Sequence, residues 1–440
     1  MALEKKCITV IMPSDIIIST LVESGALKSL QEQFDVTYLE SPGNSKQFKG
    51  VRSTVQLTSK FRLLNKYLGR HFWYISLYSY LRLRRMPFNQ SFKVMQQRLI
   101  WRKIYWIASS PTFAWLVKWL DEEVIFPKDK AIEQYLQHTQ PQLVIFPGSA
   151  MDTYSHIVAR TAKNNNIPTA MIITHWDFFS KKSMLRFSPN KIYVWGEDMR
   201  QMALVDSTLD ADLVKVVGSP NLDRYRLGAT YDQQLARSSF GISSSSKVIL
   251  FAGTSVPYDE VAVLQRLNYA LEKAGNNDVT IIYRPHPRGW KRESAATMDP
   301  FDMQFVIIDQ PEYRTSASPE HYLKLLSAID GIVSPFSTMI LEGALCGKPS
   351  LCISFSDEIN EFDFSITNTT DHLQNVKNNS WSTVCDKSEN LEDLFNAFLG
   401  ALGHVNESDD IKLGVKNIVY YDEDSYANRL LRRVVEDFSL

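Results

Sequence analysis

Short apolar runs alternate with helix-length polar stretches along almost the whole of this chain, and that alternation confines it to a parallel α/β architecture. A parallel strand is buried on both faces, so it reads as a continuous apolar run. One series comprises CITVIMP, FDVTYLE, PQLVIFPG, PTAMIITH, KIYVWG and LVKVVGSP, and it ends at Pro220. A polar stretch follows, NLDRYRLGATYDQQLARSSFGISSSS, which reads as the connection between domains. A second series runs through KVILFAGTS, VTIIYRPHP, QFVIIDQ, DGIVSPFS and PSLCISF. At 440 residues the chain is too long for one core. Two doubly wound domains are expected, over 1–220 and 247–410, with 221–246 as linker and an amphipathic terminal helix within 411–440.

With 44% apolar and 22% charged residues, the composition is that of a globular protein, and a net charge of −1 argues against a nucleic-acid partner. Cys7, Cys346, Cys352 and Cys385 lack metal-ligand spacing and read as reduced thiols of a cytoplasmic chain. The apolar run before Pro13 is too short for a signal peptide and reads as the first strand. The small net charge conceals a large asymmetry. Residues 41–120 hold 15 Lys or Arg and 16 aromatics but no Asp or Glu. We read 41–135 as a helical insertion in the first domain. Cations interleaved with Trp and Tyr suit an anionic membrane surface, where aromatics lie at headgroup level. No run reaches the roughly 20 apolar residues that a spanning helix needs. The expected location is cytoplasmic, peripheral on the inner face of the membrane.

Two segments of the second series carry the chemistry. In IIYRPHPRGW, two prolines hold Arg284 and His286 extended at a strand end, with Arg288 behind them. In IDGIVSPFSTMILEGALCGKPSL, Ser334 ends a strand and Ser337 and Thr338 open a helix, with Glu342 one turn in. A helix start and cationic side chains receive an anion, and Glu342 could accept hydrogen bonds from a ribose diol. Gly253 and Thr254, at the exit of KVILFAGTS, would let backbone N–H groups approach a phosphate. Together these residues fit a phosphorylated nucleoside.

In those motifs the second half resembles the donor-binding domain of GT-B glycosyltransferases. Bacterial surface-polysaccharide transferases and CDP-glycerol glycerophosphotransferases are nearest by motif, and transferases of CMP-activated acidic sugars share the His-Pro and Ser-Thr pairing. In the first half, PGSAMDTYS, THWDFFSKKS and YVWGEDMRQMAL leading to VVGSPNLDRY are similar to a surface-carbohydrate subgroup. The resemblance implies two Rossmann-like domains facing across a cleft. It also implies a nucleotide-sugar donor on the C-terminal half, a glycan or polyprenyl-diphosphate-linked acceptor, and no metal. Accordingly Asp210-Ala211-Asp212 is not read as a metal site. Many retaining members carry Glu-x7-Glu; Glu342 matches the second position but Ser334 stands at the first, a departure that favours inversion.

A base for the acceptor hydroxyl is expected on the first half, from Asp152, Asp177, His175 or Asp15, each just after a strand-like run; Asp15 and Asp152 could instead cap helices. Trp176 and Lys181 flank Asp177 and suit the acceptor side. The leading reading is a glycosyltransferase of capsule or O-antigen biosynthesis. Transfer from CDP-glycerol or a CMP-activated acidic sugar, epimerisation of a nucleotide sugar, and a non-catalytic role in an assembly complex are the alternatives.

Overall fold

A computed structural model describes residues 5–41, 44–45, 48–57, 68, 71–72, 74–75, 78–79, 82, 98–120, 129–148, 152–176, 178–179, 189–207, 209–228, 231–254, 259–286, 299–309, 319–335, 337–355, 376, 379–403 and 407–440. The chain divides into two compact units, one of residues 1–224 with 417–440 and one of residues 225–416.

The first unit is built on a seven-stranded sheet. Its strands are β1 (Cys7–Met12), β2 (Asp35–Glu40), β3 (Val51–Thr54), β4 (Leu143–Gly148), β5 (Thr169–Ile173), β6 (Lys191–Val194) and β7 (Val214–Val216). They lie in the order β3-β2-β1-β4-β5-β6-β7, and every pair is parallel. β4 and β5 are buried along their whole length, as strands covered by helices on both faces must be.

The second unit carries β8 (Lys247–Ala252), β9 (Val279–Arg284), β10 (Val306–Ile308), β11 (Gly331–Ser334), β12 (Ser350–Ile353) and β13 (Ser382–Cys385). Their order is β10-β9-β8-β11-β12-β13, again all parallel. In each sheet the order runs outward one way from the first strand and then jumps to its other side. The reversal falls between β1 and β4 in the first unit and between β8 and β11 in the second. Such switch points open the crevices where doubly wound proteins bind ligands.

The eleven apolar runs all become strands. The domain limits differ from those expected. The stretch read as a linker folds onto the second unit: the helix Gln233–Ser239 carries Arg237, whose Nη2 donates to both Asp330 oxygens at 2.7 Å while Nε donates to the Ala328 carbonyl at 2.9 Å. The last helix, Tyr426–Phe438, returns to the first unit. Its Tyr426, Leu430 and Val434 join the core of Ile8, Val36 and Tyr38. Arg429 donates to the Val217 carbonyl and to Asp223, both at 2.9 Å. Within the expected insertion, 51–54 is instead the edge strand β3, and the helix Lys130–Thr139 leads into β4. Between them, the helices Leu99–Ala108 and Pro111–Leu120 are described. Among the described residues no helix is long and apolar enough to cross a membrane.

Candidate active site

Three neighbouring strand ends meet at the switch point of the second sheet. β8 ends in Ala252-Gly253-Thr254, β9 in Arg284-Pro285-His286, and β11 in Ser334-Pro335. The buried Ser334 hydroxyl ties two of them together: it donates to the Ala252 carbonyl at 2.8 Å and lies 2.9 Å from the Ser337 hydroxyl. Because the Ser334 proton is used on Ala252, Ser337 is the donor of that second bond. The Ser337 oxygen is therefore left with lone pairs that could accept from a hydroxyl donor. Thr338, exposed at the head of the helix Met339–Leu345, makes no side-chain capping bond. Helix capping thus does not account for either residue.

β8 and β9 are joined as tightly. The Gly253 N–H donates to the Arg284 carbonyl at 2.8 Å. A Cβ on Gly253 would stand 2.6 Å from the His286 amide nitrogen and 2.5 Å from a Glu260 carboxylate oxygen, so only glycine fits. Glu260 itself opens the helix Glu260–Ala274 and is buried. It accepts the Thr254 N–H at 2.7 Å and the Tyr283 hydroxyl at 2.8 Å. This changes the expected role of Gly253 and Thr254. Both amides are already bonded within the protein, so the glycine serves close approach of two strands and not an open phosphate nest.

Arg284 also differs from expectation. Its guanidinium is buried and paired with Asp309 just past β10, donates to the Tyr322 hydroxyl at 3.3 Å, and lies 4.8 Å from the Tyr322 ring centroid. His321 Nε2 sits 3.0 Å from both Asp309 oxygens. Burial acts to raise the Asp309 carboxyl, but the His321 hydrogen bond and the Arg284 charge outweigh it and hold it below the usual range. Arg284 is therefore a strut that fixes the base of the RPHP turn, and His286 is half-buried beyond it. Arg288 lies outside the described residues. Glu342, half-buried, accepts the Tyr225 hydroxyl at 2.8 Å, so a ribose diol would share this carboxylate with a buried tyrosine.

In the first unit Asp152 follows β4, on the switch-point side of the sheet, and caps the helix Thr153–Asn164. Its Oδ1 accepts the Tyr154 and Ser155 N–H groups at 3.1 and 3.3 Å. Its Oδ2 is buried and accepts no hydrogen bond of good geometry among the described residues, although the Ser155 hydroxyl lies near the carboxylate. Burial pushes the Asp152 carboxyl above its ordinary value, against the pull of the Ser155 hydroxyl and the two amides. One oxygen of this side chain is thus used in capping, and the other is not. His175 is exposed just past β5, the neighbouring strand, and the hydroxyl of Thr174 before it donates to the Gly148 carbonyl at the end of β4. Trp176 is buried, so packing occupies its ring. Asp177 and Lys181 lie outside the described residues. Asp15 receives the Ser45 amide and hydroxyl at 2.9 and 2.6 Å, which gives its carboxylate a local structural partner. Asp210 caps a turn by accepting the Asp212 N–H at 3.1 Å. Among the described residues no group of three or more His, Cys, Asp or Glu is arranged to hold a metal ion.

The model of the CDP-glycerol:poly(glycerophosphate) glycerophosphotransferase family matches residues 188–436, more than half of the chain. The chain belongs to this family. The match takes in the whole second sheet and most of the last helix of this glycerophosphotransferase-family protein, and it leaves Asp152, His175 and Trp176 outside. No curated protein matches the chain in sequence. Among solved structures, a UDP-bound Staphylococcus aureus MnaA is similar with a TM-score of 0.56 at 10% identity, over 99% of this chain and 97% of that one. The UDP-GlcNAc 2-epimerase of Methanocaldococcus jannaschii gives 0.53 at 11%, over 98% and 99%. A glycosyltransferase of Rickettsia africae gives 0.52 at 12%, over 99% and 98%. At such identities the likeness is one of fold, and the fold is GT-B. Family and fold together make this protein a transferase of the GT-B class.

Glu260, Asp309, His321, Tyr322 and Tyr225 escape a reading of the sequence. Each acts through a partner 6 to 117 positions away, and none stands in a recognisable motif. The usable signal is weak: an acid just past an apolar strand, as in VIIDQ, is placed at the same sheet edge as RPHP only once strand order is known.

Proposed function

We propose that this protein transfers a sugar from a nucleotide-diphosphate donor to a lipid-linked or oligosaccharide acceptor in surface-polysaccharide biosynthesis, capsule or O-antigen, at the inner face of the membrane. One observation carries the reading: the Ser334 hydroxyl, bonded to Ala252 and Ser337, and the Gly253 N–H, bonded to the Arg284 carbonyl, gather the ends of β8, β9 and β11 at the switch point of the second sheet. The donor's ribose would meet Ser337 and Glu342, and its phosphates would meet His286, Thr338 and Arg288. The acceptor hydroxyl gives its proton to a carboxylate, for which Asp152 is the leading candidate. The acceptor oxygen then bonds to the anomeric carbon as the bond from that carbon to the phosphate oxygen breaks, and the nucleoside diphosphate leaves. No metal cofactor is invoked, since a histidine and a helix start can stabilise the leaving phosphate.

The family match favours a second reading, in which the donor is CDP-glycerol. The attacked atom is then the phosphorus of the glycerol phosphate, and CMP leaves. A thermal-shift screen over UDP-, GDP-, CDP-, CMP- and TDP-linked compounds separates the two, because a ligand stabilises the state it binds. Stabilisation by a sugar nucleotide, lost in His286→Ala and undisturbed by EDTA, supports the first reading. Stabilisation by CDP-glycerol alone supports the second. No shift with any compound overturns both.

A further inference from the structure

The helix Leu99–Ala108 is buried along one edge only. Tyr105 anchors it, 2% exposed, stacked 5.2 Å from Tyr74 and with its hydroxyl 2.7 Å from His71 Nδ1. Away from that anchor, large apolar side chains face solvent: Leu99 at 70% exposure, Ile100 at 60%, Ile104 at 42%, Trp106 at 51% and Ile107 at 54%. At about 100° per residue these five and Lys103 fill one arc of about 160° opposite Tyr105. Lys103 is the one charged residue in the arc. In the next helix Phe113 and Trp119 are exposed as well, at 46% and 54%. Single exposed apolar residues are ordinary, whereas a contiguous group of this size marks a surface that binds something.

Charge identifies the occupant. Lys103 lies within the arc, Arg102 about 40° beyond its edge, and Arg98 is the exposed N-cap that precedes the helix; residues 41–120 contain 15 cations and no acid. A second copy of the chain docked here would bring like charges together with no carboxylate in the segment to neutralise them. An anionic bilayer offers both partners at once, acyl chains for the isoleucines and phosphates for the cations.

We propose that the helix Leu99–Ala108 lies flat in the headgroup region of an anionic membrane. Ile100, Ile104, Ile107 and Trp106 enter the acyl boundary, Arg98 and Arg102 hold lipid phosphates, and Lys103 snorkels to the same level. This deepens the reading of a lipid-linked acceptor, because the docked helix brings the enzyme to the leaflet that carries it. Its test, though, uses no transfer reaction.

The full chain is sedimented with vesicles of phosphatidylglycerol in phosphatidylcholine and with pure phosphatidylcholine. Binding is expected on the anionic vesicles and falls as salt is added. Replacing Ile100, Ile104 and Ile107 together by Asp lowers the partition coefficient by about tenfold or more per residue. Thermal unfolding and any nucleotide-induced shift stay unchanged, since these side chains are exposed and belong to no described core cluster. Arg98→Glu with Lys103→Glu weakens binding to anionic vesicles alone. Absence of pelleting at low salt, or equal pelleting of the triple variant, overturns the proposal. So does a dimer in light scattering that the triple variant abolishes and vesicles do not compete for. Vesicle binding without any nucleotide shift would sink the donor reading and leave this one standing.

Discussion

Replacing Arg284 by Met would separate a strut from a phosphate ligand. The Arg284 and Asp309 side chains are 5% and 1% exposed, and the pair is completed by His321 and the Tyr322 ring. Removing the guanidinium leaves a carboxylate buried beside a single imidazole. Breaking such a pair from one side destabilises by about 3–5 kcal/mol, most of it the desolvation of the orphaned charge. In a unit of this size that corresponds to a fall of about 6–20 °C in the melting temperature. Arg284→Met combined with Asp309→Leu removes both charges and should cost less than the sum of the single changes. Urea unfolding of wild type, both singles and the double would give the coupling energy. The same four proteins in the nucleotide thermal-shift assay would report binding. If Arg284→Met unfolds at the wild-type midpoint yet abolishes nucleotide stabilisation, Arg284 is a ligand and the strut assignment is wrong.

Asp152→Asn keeps a capping oxygen and removes a poorly solvated charge, so stability should hold or rise at neutral pH while transfer falls about 100-fold or more. Asp152→Ala, which also loses the cap, should be less stable than Asp152→Asn by about 1 kcal/mol; equal transfer by Asp152→Asn and wild type would remove Asp152 as the base. Gly253→Ala forces a methyl against Glu260 and the His286 backbone, and denaturant melts should show a loss of about 1–3 kcal/mol. The Asp309 carboxyl is held below its usual range, so its stabilisation is complete above about pH 4 and fades as pH falls through the depressed value. Melting curves from pH 6 down to pH 3 should therefore steepen for wild type more than for Asp309→Asn, and parallel curves would contradict this.

Runs such as LVIFPG and KVILFA announce their strands because a strand buried on both faces must be apolar throughout. β3 (VRST) and β13 (STVC) carry no such run. They are edge strands, partly exposed, and their pairing is supplied by a neighbour already in place. The Ser-rich stretch reads as a linker for the related reason that polar composition does not reveal an Arg237 bonded to Asp330, almost a hundred residues on.

Local sequence settled which residues end the strands: Gly253, His286, Ser334 and Ser337 are all at strand exits because apolar runs stop there. Tertiary structure alone decided what those residues touch. Strand order put β8 between β9 and β11, and so joined Ser334 to Ala252, Gly253 to Glu260 and the His286 backbone, and Arg284 to Asp309. A buried charge must find a counter-charge wherever the fold places one. That rule turned an arginine with the motif of a phosphate ligand into a structural ion pair, and no reading of neighbouring residues could have anticipated it.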